Sequence, residues 1–221
     1  MTQTVLITGA NRGIGLALAR RLKDRGDHVI AAVRSSSPAL DGLGVRVESG
    51  VDVTDSRGLS DLARRLGETQ LGWLLCNAGV LTFESLEQLD EANIRRQFEI
   101  NALGPLRCVA ALRARLGKGS KVGLVTSRMG SIADNSSGGM YGYRMSKAAL
   151  NMAGVSLAHD LKPQGVAVAI LHPGHVQTDM TRNTGNVSPD EAAKGLIARM
   201  DALTLPDSGG FWHQNGERLP W

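Results

Sequence analysis

Tyr143 and Lys147 lie four residues apart in a segment whose apolar spacing is helical, which puts a phenol and an ammonium on one face. A phenol titrating near 10 exchanges protons poorly near neutrality unless its ionised form is stabilised, and an adjacent ammonium does this. The pair suits delivery of a proton to an oxygen that gains charge, as when a carbonyl is reduced to an alkoxide. Tyr141 is six residues from Lys147, about 240° around a helix at about 100° per residue, so it cannot share that face. Alone, such a pair is an ordinary solvated helix ladder. A second constellation gives it weight: Thr8-Gly9-Ala10-Asn11-Arg12-Gly13-Ile14-Gly15, with G-x3-G-x-G spacing, between a β-branched run and a helical pattern. Glycine lets backbone approach a pyrophosphate, and the helix start offers unpaired N–H groups and a positive dipole.

A carboxylate that selects NAD would end the second strand, where it could bond the adenosine ribose hydroxyls. Here that strand ends Val33-Arg34, without an acid. Arg34, with Arg12 in the glycine turn, could instead clamp a 2′-phosphate, so NADP(H) is preferred over NAD(H); the competing reading is two more surface arginines in a chain with 19. Asn77-Ala78-Gly79, at the carboxyl end of the fourth strand, should border the cofactor. No metal is expected: His172 and His175 flank Pro173-Gly174 without a further ligand set. Cys76 and Cys108 have no zinc-binding spacing and read as free thiols of a reducing cytoplasm.

These residues need a frame. Strands are expected at 4–8, 28–33, 45–53, 71–76, 121–126 and 166–171, with helices from Ile14 to Gly26 and over 56–66, 90–116 and 141–161. A helix follows Ser188-Pro189-Asp190-Glu191, and Phe211-Trp212 is a candidate edge strand. Such alternation implies an α/β fold: a single-domain, Rossmann-type doubly wound parallel sheet of about seven strands with helices on both faces. Residues 1–221 form one domain, with a substrate loop and short helix at about 175–205. Glycine, 27 of 221 residues, is abundant without a repeat, as many tight strand-to-helix turns require. Hydrophobic and charged fractions of 42% and 21% exclude disorder. No apolar run approaches the roughly 18 residues of a membrane span, and the start lacks a basic leader, so a cytoplasmic protein is expected. The net charge of +4 is spread as scattered arginines, unlike a nucleic-acid stripe.

In order along the chain stand the glycine motif, Asp52-Val53, Asn77-Ala78-Gly79, Asn101, Ser127, Tyr143-Arg144-Met145-Ser146-Lys147 and Pro173-Gly174. Together they resemble the short-chain dehydrogenase/reductase family across nearly the whole chain. The strings Thr126 to Ile132, Tyr143 to Asn151 and Gly216 to Trp221 look most like its sniffer-type carbonyl reductase and C-factor-like subgroup. The resemblance implies NADPH-dependent, reversible reduction of a ketone or aldehyde, with Asn101, Ser127, Tyr143 and Lys147 catalytic. Lys147 would also bind the nicotinamide ribose, Ser127 would polarise the substrate oxygen, and Asn101 would hold a water in a proton relay. Gly9, Asn11, Arg12, Gly13, Ile14, Gly15, Arg34, Asp52, Val53, Asn77, Ala78, Gly79, Tyr143, Lys147, Pro173, Gly174, Val176 and Thr178 would contact the cofactor. It also implies a homodimer through the two long helices. The family commonly places its serine 13 residues before the tyrosine; Ser127 stands 16 before Tyr143, which keeps Ser131 in contention. Leu81, Met129, Met140 and the loop 176–186 imply an apolar, adaptable pocket. A dinucleotide-binding regulatory or signalling protein with little turnover is the other reading.

Overall fold

The computed structural model describes residues 2–221. Strands β1 (Thr4–Thr8), β2 (His28–Ala32), β3 (Arg46–Glu48), β4 (Leu71–Cys76), β5 (Leu116–Val125), β6 (Ala167–His172) and β7 (Gly210–His213) form one sheet. The strand order is β3-β2-β1-β4-β5-β6-β7, and every neighbouring pair is parallel. Between them run helices α1 (Gly13–Asp24), α2 (Pro38–Asp41), α3 (Ser56–Arg65), α4 (Glu91–Phe98), α5 (Gly104–Leu112), α6 (Tyr141–Leu161) and α7 (Pro189–Ala202).

Strand residues are apolar on both faces because both faces are covered. Leu6, Ile30, Leu74, Leu124 and Ile170 pack with Leu62 of α3, Val109 of α5 and Leu150 of α6. Their alternates Ile7, Val29, Leu75 and Leu171 pack with Leu18 of α1 and Leu196 of α7. The order of strands reverses between β1 and β4, and ligands of such sheets bind outside the carboxyl ends at that switch.

The sequence reading is altered in three places. The strand expected over 45–53 is ordered as β3 only to Glu48; Gly50, at φ 76°, turns the chain, although Val51 N still donates to Val33 O at 3.0 Å and carries Asp52 to the sheet's carboxyl edge. The helix expected over 90–116 is two helices joined by a π-helical turn, Glu99–Leu103, and Leu116 already belongs to β5. Third, α2 is an additional short helix, capped by Ser37, whose Oγ accepts from Leu40 N at 3.2 Å.

Candidate active site

The β1–α1 connection is held in place from β4. Thr8 Oγ1 accepts from the backbone N–H groups of Asn77 and Ala78 at 3.0 and 3.1 Å, and Asn77 Nδ2 donates to the carbonyls of Thr8 and Gly9 at 3.1 Å. The turn then needs glycine for two separate reasons. Gly9 has a left-handed φ of 68°, and a Cβ on Gly15 would come within 2.2 Å of the Gly9 carbonyl. Arg12 occupies the N-cap of α1 without a side-chain capping bond, so the first backbone N–H groups of the helix open onto a cleft of about 590 Å3. Gly13, Ile14 and Asn11 line the same cleft. This helix start, kept open by the absence of Cβ atoms at Gly9, Gly13 and Gly15, fits a dinucleotide pyrophosphate.

Farther along the cleft are Arg34, Asp52 and Val53 on one side, and Ala78 and Gly79 on the other. Asn11 ties the glycine turn to the loop after β2: its Nδ2 donates to Ser35 O at 3.1 Å, and its carbonyl accepts from Ser37 Oγ at 2.7 Å. Asp52 Oδ1 accepts from Thr54 N and Thr54 Oγ1, both at 2.8 Å. The Thr54 backbone bond and then its hydroxyl, with the nearby Arg34 charge, hold this carboxyl below its usual range against the opposing effect of burial. Arg34 is exposed, with no carboxylate within ion-pair distance among the described residues. Arg12 is committed differently: it reaches Asp179 at 3.1 Å on the loop after β6. Both partners are well exposed, so the pair is worth about 0–1 kcal/mol and opens readily. Pro173, Gly174, Val176 and Thr178 complete that wall, and Thr178 Cγ2 sits 3.3 Å from where a Gly13 Cβ would be.

Tyr143 and Lys147 both line the cleft from α6. Ser127 lies beside the Tyr143 phenol, its own Oγ accepting from Met129 N at 3.2 Å, and the Lys147 ammonium lies 5.7 Å from the Tyr143 ring centroid. Ser131 Oγ instead accepts from Asp134 N at 3.1 Å and supports a local turn. Ser127 and Tyr143 are separated by the 3-10 turn Arg128–Gly130 and the loop that leads into α6. Gly130 makes the approach possible, since a Cβ there would come within 2.7 Å of the Lys147 carbonyl carbon. Asn151 fastens the same contact, accepting from Thr126 Oγ1 at 2.7 Å and donating to Gly130 O at 3.2 Å.

Electrostatics at the pair differ from the sequence expectation. Lys147 is buried, donates to Val125 O at 2.9 Å and has its pKa pushed down to about 8 by desolvation. Tyr143 is shifted upward by burial, with the Ser127 side chain acting in the opposite direction. The ammonium is thus turned to the Val125 carbonyl. Asn101 is also tied up: Oδ1 accepts from Val80 N at 2.8 Å, and Nδ2 donates to Val80 O and Ser146 Oγ at 2.9 and 3.0 Å. It stands beside the ammonium all the same, as a Cβ on Gly79 would lie 3.3 Å from Asn101 Oδ1 and 3.7 Å from Lys147 Nζ. His172 stacks edge-on against His213, with ring centroids 4.9 Å apart, and burial holds it neutral with a pKa of about 3.

Glu84 escapes sequence reasoning because it lies in a loop with no motif. Its buried carboxylate accepts from Thr82 Oγ1, from Gln97 Nε2 at 2.9 Å and from Gly142 N at 3.3 Å. The N-cap of α6 is Met140, at a left-handed φ of 50° and without a side-chain capping bond, so Glu84 caps this helix from another loop. Glu84→Gln is expected to destabilise the fold by about 1–3 kcal/mol, because an amide donor would then face Gly142 N or Gln97 Nε2. Thermal unfolding measures this, and an unchanged Tm would remove Glu84 from the capping role.

Sheet, glycine cradle and tyrosine–lysine helix define a dinucleotide-dependent oxidoreductase. Comparison with known proteins makes the class specific. Residues 3–188 match the family described as short chain dehydrogenase, and the chain belongs to that family. It is 48% identical over 224 residues to a 1-hydroxy-2-glutathionyl-2-methyl-3-butene dehydrogenase of Rhodococcus sp. (strain AD45), with 99% of each chain covered. The fold is similar to the carbonyl reductase Sniffer of D. melanogaster at a TM-score of 0.93, with 26% identity and all of both chains covered. A carbonyl reductase from chicken fatty liver, solved with NADPH bound, superposes at a TM-score of 0.91 with 27% identity, covering 100% of this chain and 99% of that one.

Proposed function

We propose that this protein interconverts a ketone or aldehyde with its alcohol, using NADP(H) in preference to NAD(H). The observation that carries the reading is that Tyr143 and Lys147, four residues apart on α6, both line the cleft that the glycine cradle opens. A bound nicotinamide supplies the hydride in reduction and accepts it in oxidation. Tyr143 gives its hydroxyl proton to the carbonyl oxygen as that oxygen gains charge, and takes it back when an alcohol is oxidised. Ser127 donates to the same oxygen. Lys147, held beside Tyr143, binds the nicotinamide ribose and supports the phenolate left behind. Asn101 Oδ1 keeps one lone pair for a water that relays protons to Lys147.

The named relatives support both directions: the Rhodococcus protein is a dehydrogenase of an alcohol that carries a glutathionyl group, and the chicken protein is an NADPH-bound reductase. A bulky, polar substrate alcohol is consistent with the first. Exposed Leu103 and Leu106 of the α4–α5 segment, and Met145 and Met152 two turns apart on α6, supply an apolar face for a second copy and so a homodimer. Buried free Cys76 and Cys108 suit a cytoplasmic setting.

The test is NADPH consumption over carbonyls of graded size, with NADH in parallel and the matching alcohols in reverse. NADPH binding without turnover across that panel would overturn the reading in favour of a regulatory dinucleotide-binding protein. Arg34→Ala is expected to lower kcat/KM for NADPH by about 10–150-fold, the loss of charge-assisted bonds of roughly 1.5–3 kcal/mol to a 2′-phosphate, with little change for NADH. Steady-state kinetics with both cofactors check this. Equal losses would return Arg34 to a solvated surface role.

A further inference from the structure

The loop that follows the Thr178 wall is rigid and carries an unusual arginine. Thr181 Oγ1 donates to Val176 O at 2.6 Å, Asn183 N donates to Thr178 O at 2.9 Å, and Val187 N donates to His175 O at 3.1 Å. A Cβ on Gly185 would lie 2.4 Å from the Val176 carbonyl carbon, so the loop is folded down on itself. On this frame Arg182 and Asn183 are both left-handed, at φ 51° and 57°. That conformation suits glycine, and an arginine held in it is strained.

Apart from Arg34 at the cofactor end of the cleft, the other arginines near this loop have partners. Arg12 pairs with Asp179, Arg128 with Asp134, and Arg144 donates to Ser137 Oγ at 2.7 Å and to Gly138 O at 3.1 Å. The guanidinium of Arg182 has no hydrogen-bond acceptor and no carboxylate partner among the described residues. It rests 5.1 Å from the ring centroid of Phe83, an exposed side chain on the loop after β4. The two loops bound the cleft from opposite sides, Val80 lining it from one and Thr181 and Asn183 from the other. The Arg182–Phe83 contact joins these two loops at the edge of the cleft.

We infer that Arg182 is a specificity residue that receives a carboxylate on the substrate, remote from the reacting carbon, while Phe83 borders the apolar stem between the two. This rests on the reading above that the cleft takes a carbonyl or alcohol. A planar guanidinium with all its donors unused matches a carboxylate in a two-bond fork. Its contact with an exposed ring is weak and gives way to such a partner. The substrate class is then an oxo acid, or the corresponding hydroxy acid, with an apolar spacer.

The experiment compares ω-oxo carboxylates of graded chain length with their methyl esters, in wild type and in Arg182→Gly. Glycine suits the left-handed backbone, so the variant should fold with a Tm no lower than wild type. At the spacer length that fits, wild type should favour acid over ester by roughly tenfold or more in kcat/KM, mostly through KM, and Arg182→Gly should bring the ratio near one. Equal use of acid and ester by wild type at every length, or an equal loss for both in the variant, would overturn the inference. Binding of the matched ω-hydroxy acids and esters to NADP+-loaded protein, by calorimetry, gives the same comparison independently of turnover. If no carbonyl is reduced, the proposed function fails while this acid-over-ester ratio still decides the role of Arg182.

Discussion

Tyr143→Phe is expected to abolish carbonyl reduction, by a factor of about 10²–10⁴ or more, while NADPH still binds. The substitution removes one hydroxyl from the wall of the cleft and leaves the glycine cradle untouched, so steady-state kinetics and NADPH fluorescence titration should separate. Tyr141→Phe is the matched control; its ring starts α6 and does not line the cleft. Activity of Tyr143→Phe within threefold of wild type would reject the assignment. The pH dependence should follow the same group. Reduction needs the hydroxyl protonated and falls as pH rises through the Tyr143 titration, whereas oxidation needs the phenolate and rises. Burial shifts that titration upward.

Ser127→Ala should lower kcat by about 10²–10³, the usual loss for one donor aimed at a developing oxyanion. Ser131→Ala should scarcely change kcat and should instead loosen the turn that its hydroxyl supports through Asp134 N. The two variants share residue type and lie four positions apart, so protein instability alone cannot produce that contrast. If Ser131→Ala proved the more damaging for turnover, the serine role would move to Ser131.

The residues that line the cleft were legible because glycine, tyrosine, lysine and asparagine stand there at spacings that can be read without tertiary knowledge. Gly9 and Gly15 answer a left-handed φ and a close carbonyl, and both constraints surface as glycine spacing. The four-residue step from Tyr143 to Lys147 fixes a shared helix face without any tertiary knowledge. What the spacing could not convey was where the ammonium turns: its bond to Val125 O depends on β5 running beneath α6. Glu84 and Arg182 were illegible for a similar reason. Each meets a partner distant in sequence, Gly142 for one and Phe83 for the other, and neither loop has a period to read.

The strands were readable from their short apolar runs, apart from the first five residues of β5 and from β3, where three residues pair at an edge and Gly50 ends the ladder. The π-helical turn was invisible to periodicity because five residues are too few to establish a new phase. Yet Glu99–Leu103 sits where the chain changes company, with α4 packed on α6 before it and α5 packed on α3 after it. An i to i+5 turn holds one residue more than an α-helical turn, and each residue advances the side chains by about 100°. The turn thus works as a rotary joint that swings the buried stripe from one neighbour to the other while the axis continues. At this point the chain is constrained in length more than in composition: residues can be exchanged on the joint's outer side, but removing one would reset the rotation, and either α4 or α5 would present the wrong side to its neighbour.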